Sequence, residues 1–363
     1  MSKIIKLITI IIWLIFFLIL LLAIQDYRTL QLHKQELVTP IITYVKGTIL
    51  DEEQKEFIQK INPFGVLLDG NNIVSEGQLK QLIKELKSLF PERKLYIAID
   101  QEGGQVDRLK KIYDQEKLLK AAIYYGNLAE LNLEQAKVEI YQDARYTAKI
   151  LAELGFDINF APMVDLAFFR QNLNLNSSNN GFAATQERAY SAKVEIVVAL
   201  ASLFIQAMEE QGIISVAKHL PGLGRAFADT HDNAAIIDAK YSDLLEQDFL
   251  VFKQIAKQVK MGMVGHGTYK VLDDQPASFS HIIIADIIRQ KIGFEGLLIS
   301  DALNMAAVAN YELEERVAKS LEAGIDLVIP NYLSRAVSVR AIKAIKQEKL
   351  HQFNQKLRKL GYI

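Results

Sequence analysis

LLISDALNM, residues 297–305, ends a run of apolar residues in Ser300 and Asp301 and then changes to a helical pattern. A short apolar run without polar alternation is what a parallel strand buried on both faces requires. A carboxylate at the end of such a strand stands on rigid backbone, a suitable post for a nucleophile or a charge stabiliser. Aspartate is also a good helix N-cap, so this stretch alone leaves both roles open.

Seven other stretches have the same form: PIITYV (40–45), FGVLLD (64–69), KLYIAID (94–100), FDINFAP (156–162), IISVAK (213–218), MGMVGH (261–266) and GIDLVIP (324–330). Between them lie stretches such as EGQLKQLIKELKSLF (76–90), whose apolar residues recur at helical spacing. Eight strands alternating with helices predict an α/β fold, a (β/α)8 TIM-type barrel, with a doubly wound open sheet as the alternative. Asp100, Lys218, His219, His266 and Asp301 all fall at, or one residue past, the end of a predicted strand. Barrel active sites are built on that face, which favours the closed form.

The 363 residues include 42 basic and 43 acidic side chains. With neither sign in excess and no run of lysine or arginine, nucleic acid is not an expected partner. The absence of cysteine excludes disulfides, thiol nucleophiles and thiolate metal sites. Near the N-terminus, LITIIIWLIFFLILLLAI (7–24) is 18 residues without a charge, preceded by Lys3 and Lys6. It predicts a transmembrane helix with the lysines on the cytoplasmic side and the rest of the chain facing outward. A cleaved signal peptide is the competing reading, but LLLAIQDYR offers no small-residue cleavage site. The division expected is an anchor over 1–25, a connector over 26–38 and the barrel domain over 39–363.

Two loops carry the remaining ionisable groups. In AIDQEGGQVDRL (98–109) the double glycine allows a tight turn that leaves Asp100 at the barrel mouth, with Arg108 able to reach back towards it. In KHLPGLGRAFADTHDN (218–233), Lys218 and His219 come directly off the fifth strand, and Pro221, Gly222 and Gly224 force a loop. Further along that loop Asp229 stands two residues before His231. A hydrogen bond between them would fix the imidazole tautomer and raise its pKa towards the working pH, as general acid/base catalysis requires.

AIDQEGGQVDRL, INFAPMVDL (158–166), AKHLPGLGRAFADTH (217–231) and GFEGLLISDALNM (293–305) resemble, in order and spacing, the family 3 glycoside hydrolases. The likeness is greatest to the single-domain β-N-acetylglucosaminidases that trim peptidoglycan, and it covers residues 40–330. It implies a retaining exo-β-N-acetylhexosaminidase that releases terminal N-acetylglucosamine from a small saccharide or muropeptide. Asp301 would be the nucleophile that forms a glycosyl-enzyme intermediate, and His231 with Asp229 the acid/base. Asp100, Arg108, Lys218, His219 and Arg188, the last in QERAYS (186–191), would hold the sugar. No metal or cofactor is implied. Combined with the apolar segment, the resemblance implies an enzyme on the bacterial inner or cytoplasmic membrane, its barrel in the periplasm or exterior.

The sequence departs from the family pattern at Gln105, Leu220, Leu223 and Ala302, where arginine, phenylalanine, histidine and a second aspartate are usual. A β-glucosidase-like hydrolase of the same fold and a weakened barrel that only binds wall glycans are the alternatives. Against the first, the Asp-x-His loop is present, and the chain after residue 330 leaves no room for a second domain. The segment 170–182 is amide-rich loop. Residues 338–360 form a basic amphipathic helix suited to packing on the barrel or touching anionic lipid.

Overall fold

Strand β1 (Thr39–Tyr44, TPIITY) buries every side chain but the last, the pattern expected of a strand covered on both faces. The computed structural model describes residues 37–168, 187–226, 235–330, 340 and 342–363. The chain divides between Val38 and Thr39, and the unit Thr39–Ile363 is the one described here.

After β1 come β2 (Pro63–Leu68), β3 (Tyr96–Ile99), β4 (Ile158–Asn159), β5 (Ile214–Leu220), β6 (Ile236–Ile237), β7 (Met261–Val264), β8 (Thr268–Tyr269), β9 (Leu297–Ala302) and β10 (Leu327–Ile329). All except β6 and β8 close into one barrel in the order β1-β2-β3-β4-β5-β7-β9-β10. Every pairing around it is parallel. The closed barrel predicted from sequence is therefore the fold, and the open sheet is not. β6 and β8 pair with each other outside the barrel. β4 is shorter than FDINFAP suggests, although Phe160, Ala161 and Pro162 still make backbone hydrogen bonds to the neighbouring strands.

The helices α1 (Glu52–Ile61), α2 (Glu76–Ser88), α3 (Ala122–Leu131), α4 (Leu133–Leu154), α5 (Val194–Glu209), α6 (Phe249–Ile255), α7 (Leu313–Ala323) and α8 (Gln347–Leu360) connect the strands or follow the last. A further helical segment, Ile283–Ile292, winds as a π-helix. α2 shows the local logic: Ser75 accepts from the Gln78 N–H as N-cap, and Leu79, Leu82, Ile83 and Leu86 form the buried stripe. Each such side chain contributes about 1.5–3 kcal/mol by leaving water. In α8, which covers residues 347–360 of the basic C-terminal stretch, Phe353 and Leu357 are buried. Phe353 meets Phe64 edge-on, while Phe64 stacks on Tyr96 at 4.6 Å and Tyr362 closes the cluster. Packing on the barrel is thus what that helix does.

One expectation is corrected. No helix among the described residues is long and apolar enough to cross a membrane. The most apolar, α5, has 16 residues, about 24 Å at 1.5 Å per residue, short of the roughly 30 Å hydrocarbon core. The longest, α4, has 22 residues but is charged along its outer face. The segment 7–24 read as a transmembrane helix lies outside the described residues, and the fold described is the barrel alone. With no spanning helix among the described residues, the expected membrane partner and membrane localisation are not supported.

Candidate active site

The C-terminal mouth of the barrel gathers most of the ionisable residues singled out in the sequence. β9 does not stop at Asp301 but runs on through Ala302. Asp301 Oδ1 accepts the Ala302 N–H at 2.7 Å. The next regular helix begins only at Leu313, so Asp301 is no helix cap. Its side chain is 15% exposed, and Oδ2 lies 3.9 Å from His219 Nε2. The carbonyl of Ala302 accepts from His266 Nε2 at 3.1 Å, and His266 Nδ1 is 2.7 Å from Ser278 Oγ. Since a carbonyl only accepts, that His266 nitrogen carries the proton. Both backbone groups of Ala302 are therefore hydrogen-bonded.

Lys218 and His219 lie within β5 rather than beyond it, both buried. Lys218 pairs in register with Met263, and the ladder shifts before Leu220. The Lys218–His219 and Leu220–Pro221 peptide bonds are cis. Lys218 Nζ is held between Asp100 Oδ1 at 2.8 Å and Glu102 Oε1 at 2.6 Å. Glu102 also takes Arg188 through a two-pronged pair, Nε and Nη2 each at 2.8 Å. Burial alone would raise the Glu102 pKa, but the charges and hydrogen bonds of Arg188 and Lys218 hold it well below the carboxylate range. Burial works against the Lys218 charge too, and Asp100 and Glu102 outweigh it, so its pKa stands above the ordinary value. Asp100 and Glu102 after β3, Lys218 on β5 and Arg188 in the loop before α5 thus form one ionic cluster.

Arg108 sits differently from the expectation. The ion partner of Asp100 is Lys218, and the Arg108 backbone N–H donates instead to Gln101 Oε1 at 2.9 Å. Its Nε is buried and has no hydrogen-bond partner among the described residues. Gln101 organises the loop: Nε2 donates to Asp107 at 2.8 Å, while its backbone exchanges two bonds with Asn159 on β4. The double glycine is required here. Gly103 and Gly104 have φ of +92° and +57°, and a Cβ on Gly103 would lie 2.4 Å from the Lys120 carbonyl oxygen.

Three groups at this mouth were not read from the sequence as site residues. Glu102 was visible only as half of an acidic pair. Tyr44, ending β1, has its hydroxyl pKa raised by burial and then by Asp100, Asp301 and Asp69, which sets it among the same carboxylates. Asp165, just past β4, bonds His219 Nδ1 at 2.7 Å and accepts the Leu223 N–H at 2.6 Å. Asp229 and His231 lie outside the described residues, as does the segment 170–182. Among the described residues no group of three or more His, Asp or Glu side chains converges as metal ligands do.

The departures from the family pattern have local partners. Leu220 and Leu223 are buried, and Leu223 fills the space over Gly267. Gln105 Nε2 donates to Glu187, beside Arg188.

Parallel barrel and ionisable mouth together define a TIM-barrel enzyme with its chemistry on the C-terminal face. The comparisons narrow the class. The chain matches the Glycosyl hydrolase family 3 N terminal domain over residues 29–360, and it belongs to that family. A β-hexosaminidase of Psychromonas ingrahamii is 32% identical over 323 residues, 87% of this chain and 90% of the relative. NagZ from Neisseria gonorrhoeae, as a native crystal structure, superposes with TM-score 0.75 at 28% identity, covering 88% of this chain and 89% of that one. The same protein in complex with N-trifluoroacetyl-D-glucosamine gives TM-score 0.75 at 27% identity over the same shares. The chain is a glycoside hydrolase, and the sequences it is similar to are β-hexosaminidases.

Proposed function

We propose that the chain is a retaining exo-β-N-acetylhexosaminidase that removes terminal β-linked N-acetylglucosamine from peptidoglycan fragments. The observation that carries this reading is the Asp301 carboxylate, fixed through Oδ1 to its own strand with Oδ2 turned towards His219. A carboxylate so held can serve as the nucleophile that attacks an anomeric carbon. The β-hexosaminidase relatives and the N-acyl glucosamine bound by the Neisseria gonorrhoeae protein support the choice of sugar.

In this reading Asp301 attacks C1 and forms an ester while the leaving oxygen takes a proton from the His231 imidazolium, which Asp229 keeps in the right tautomer. Neutral His231 then takes a proton from water, whose oxygen displaces Asp301 and restores the original configuration. A histidine in this post avoids a second negative charge beside Asp301. Asp100, through the oxygen not occupied by Lys218, and the Arg108 guanidinium would take sugar hydroxyls. Lys218 and Arg188 act mainly by fixing the carboxylates of Asp100 and Glu102.

The test is turnover of an aryl β-N-acetylglucosaminide with the product anomer followed by proton NMR. The reading predicts a β-anomer as first product, slower turnover of the matching β-glucoside, and no turnover by Asp301→Ala. A first-formed α-anomer would exclude retention, and equal rates on both sugars would exclude the N-acetyl preference.

A further inference from the structure

Asp165 is buried at the mouth, and its hydrogen bonds among the described residues go to one target, the segment from His219 to Leu223. Its Oδ2 meets His219 Nδ1 at 2.7 Å, its two oxygens lie 3.3 Å from the His219 N–H, and Oδ1 accepts the Leu223 N–H at 2.6 Å. A carboxylate only accepts, so Nδ1 of His219 must carry a proton. The other nitrogen, Nε2, then faces Asp301 Oδ2 across 3.9 Å, too far for a direct hydrogen bond.

We infer that Asp165 is a positioning residue: it locks the imidazole of His219 as the Nδ1–H form, leaving Nε2 as the group presented to the sugar beside the Asp301 carboxylate. A neutral imidazole so held accepts at Nε2 from a substrate hydroxyl. The opposite tautomer would present an N–H there and could not accept that bond. Three segments cooperate: the loop after β4 supplies the lock, β5 the imidazole and β9 the carboxylate. The same Asp165 oxygen pair ties the imidazole to the Leu223 backbone, so ring orientation and loop path are set together. The inference rests on the proposed hydrolase reading for what Nε2 meets, but the tautomer itself does not.

The experiment uses the full chain with its six histidines labelled with nitrogen-15, the His219 signals being assigned by their loss in His219→Gln. Long-range proton–nitrogen correlation is expected to show a protonated Nδ1 and a bare Nε2 in the wild type, and a mixed or reversed pattern in Asp165→Asn. Asp165→Asn is expected to lower kcat/KM on an aryl β-N-acetylglucosaminide by about 10–100-fold, the range typical of lost orienting partners. In a His219→Gln background the same change should cost less than about 2-fold, because the imidazole it acts through is gone. Equal losses in both backgrounds would show that Asp165 acts otherwise. A bare Nδ1 in the wild type would overturn the inference even if Asp165→Asn failed to fold. A wild type that keeps the tautomer yet hydrolyses no β-N-acetylglucosaminide would sink the functional reading instead.

Discussion

His219 Nε2 stands 3.9 Å from Asp301 Oδ2, although β5 and β9 are separated in the barrel by β7. The gap is longer than a hydrogen bond but short enough for both groups to reach one sugar ring. The consequences extend from this pair to the cluster beside it.

Replacing Glu102 by Gln strands the buried charges of Lys218 and Arg188. Removing one partner of a buried pair typically costs about 3–5 kcal/mol, and urea unfolding at neutral pH should show a loss of that size. Asp157→Asn, at a carboxylate salted to the better exposed Lys87 and Lys94, should cost less.

The same carboxyl sets an acid limit. Its folded pKa lies below the ordinary value, so its stabilisation is complete above about pH 4.3, the usual glutamate value, and is lost as pH falls through the depressed one. The stability difference between wild type and Glu102→Gln should therefore be constant from pH 7 to 5 and shrink below pH 4. A difference that grew on acidification would contradict the ion-pair assignment.

Gly103→Ala should fail locally. The φ of +92° disfavours a side chain, and the added Cβ meets two carbonyl oxygens, Lys120 at 2.4 Å and Leu119 at 2.6 Å. A cost of about 1–3 kcal/mol is expected, with kcat/KM lowered because Asp100 and Arg108 flank the turn. Gly77→Ala, in open space on α2, should instead be neutral or stabilising by thermal melting.

Much of this was legible because strand-end residues follow from local pattern. Asp100, Lys218, His219, His266 and Asp301 were found by asking which ionisable groups close an apolar run, and the barrel brings them to one face. Asp165 escaped although INFAPMVDL was in view, because its meaning lies in a contact with His219 on a different strand. Glu102 escaped for the same reason, its partners Arg188 and Lys218 being 86 and 116 residues away along the chain, counted from the numbering. The Arg108–Asp100 pairing was expected from proximity in sequence, and the buried Lys218 displaced it. The apolar segment 7–24 was read on hydropathy alone, a signal that says nothing of what the described helices do.

Leu223→His, which restores the residue usual in the family, should destabilise this chain. Leu223 is 9% exposed and packs over Gly267, and its neighbour Ile237 crowds the same glycine. An imidazole there loses water without a matching acceptor, at about 1–3 kcal/mol. A thermal melt should fall, and activity should not rise.

The central claim, that Asp301 becomes covalently bonded to the sugar, is tested most directly by trapping. The enzyme is incubated with a fluorinated N-acetylglucosaminyl donor that slows the second step, digested, and read by mass spectrometry. The account predicts a single peptide spanning residue 301, heavier by one fluorinated sugar, and none in Asp301→Ala. Sugar attached to any other residue, or turnover of the donor with no labelled peptide at all, would contradict it.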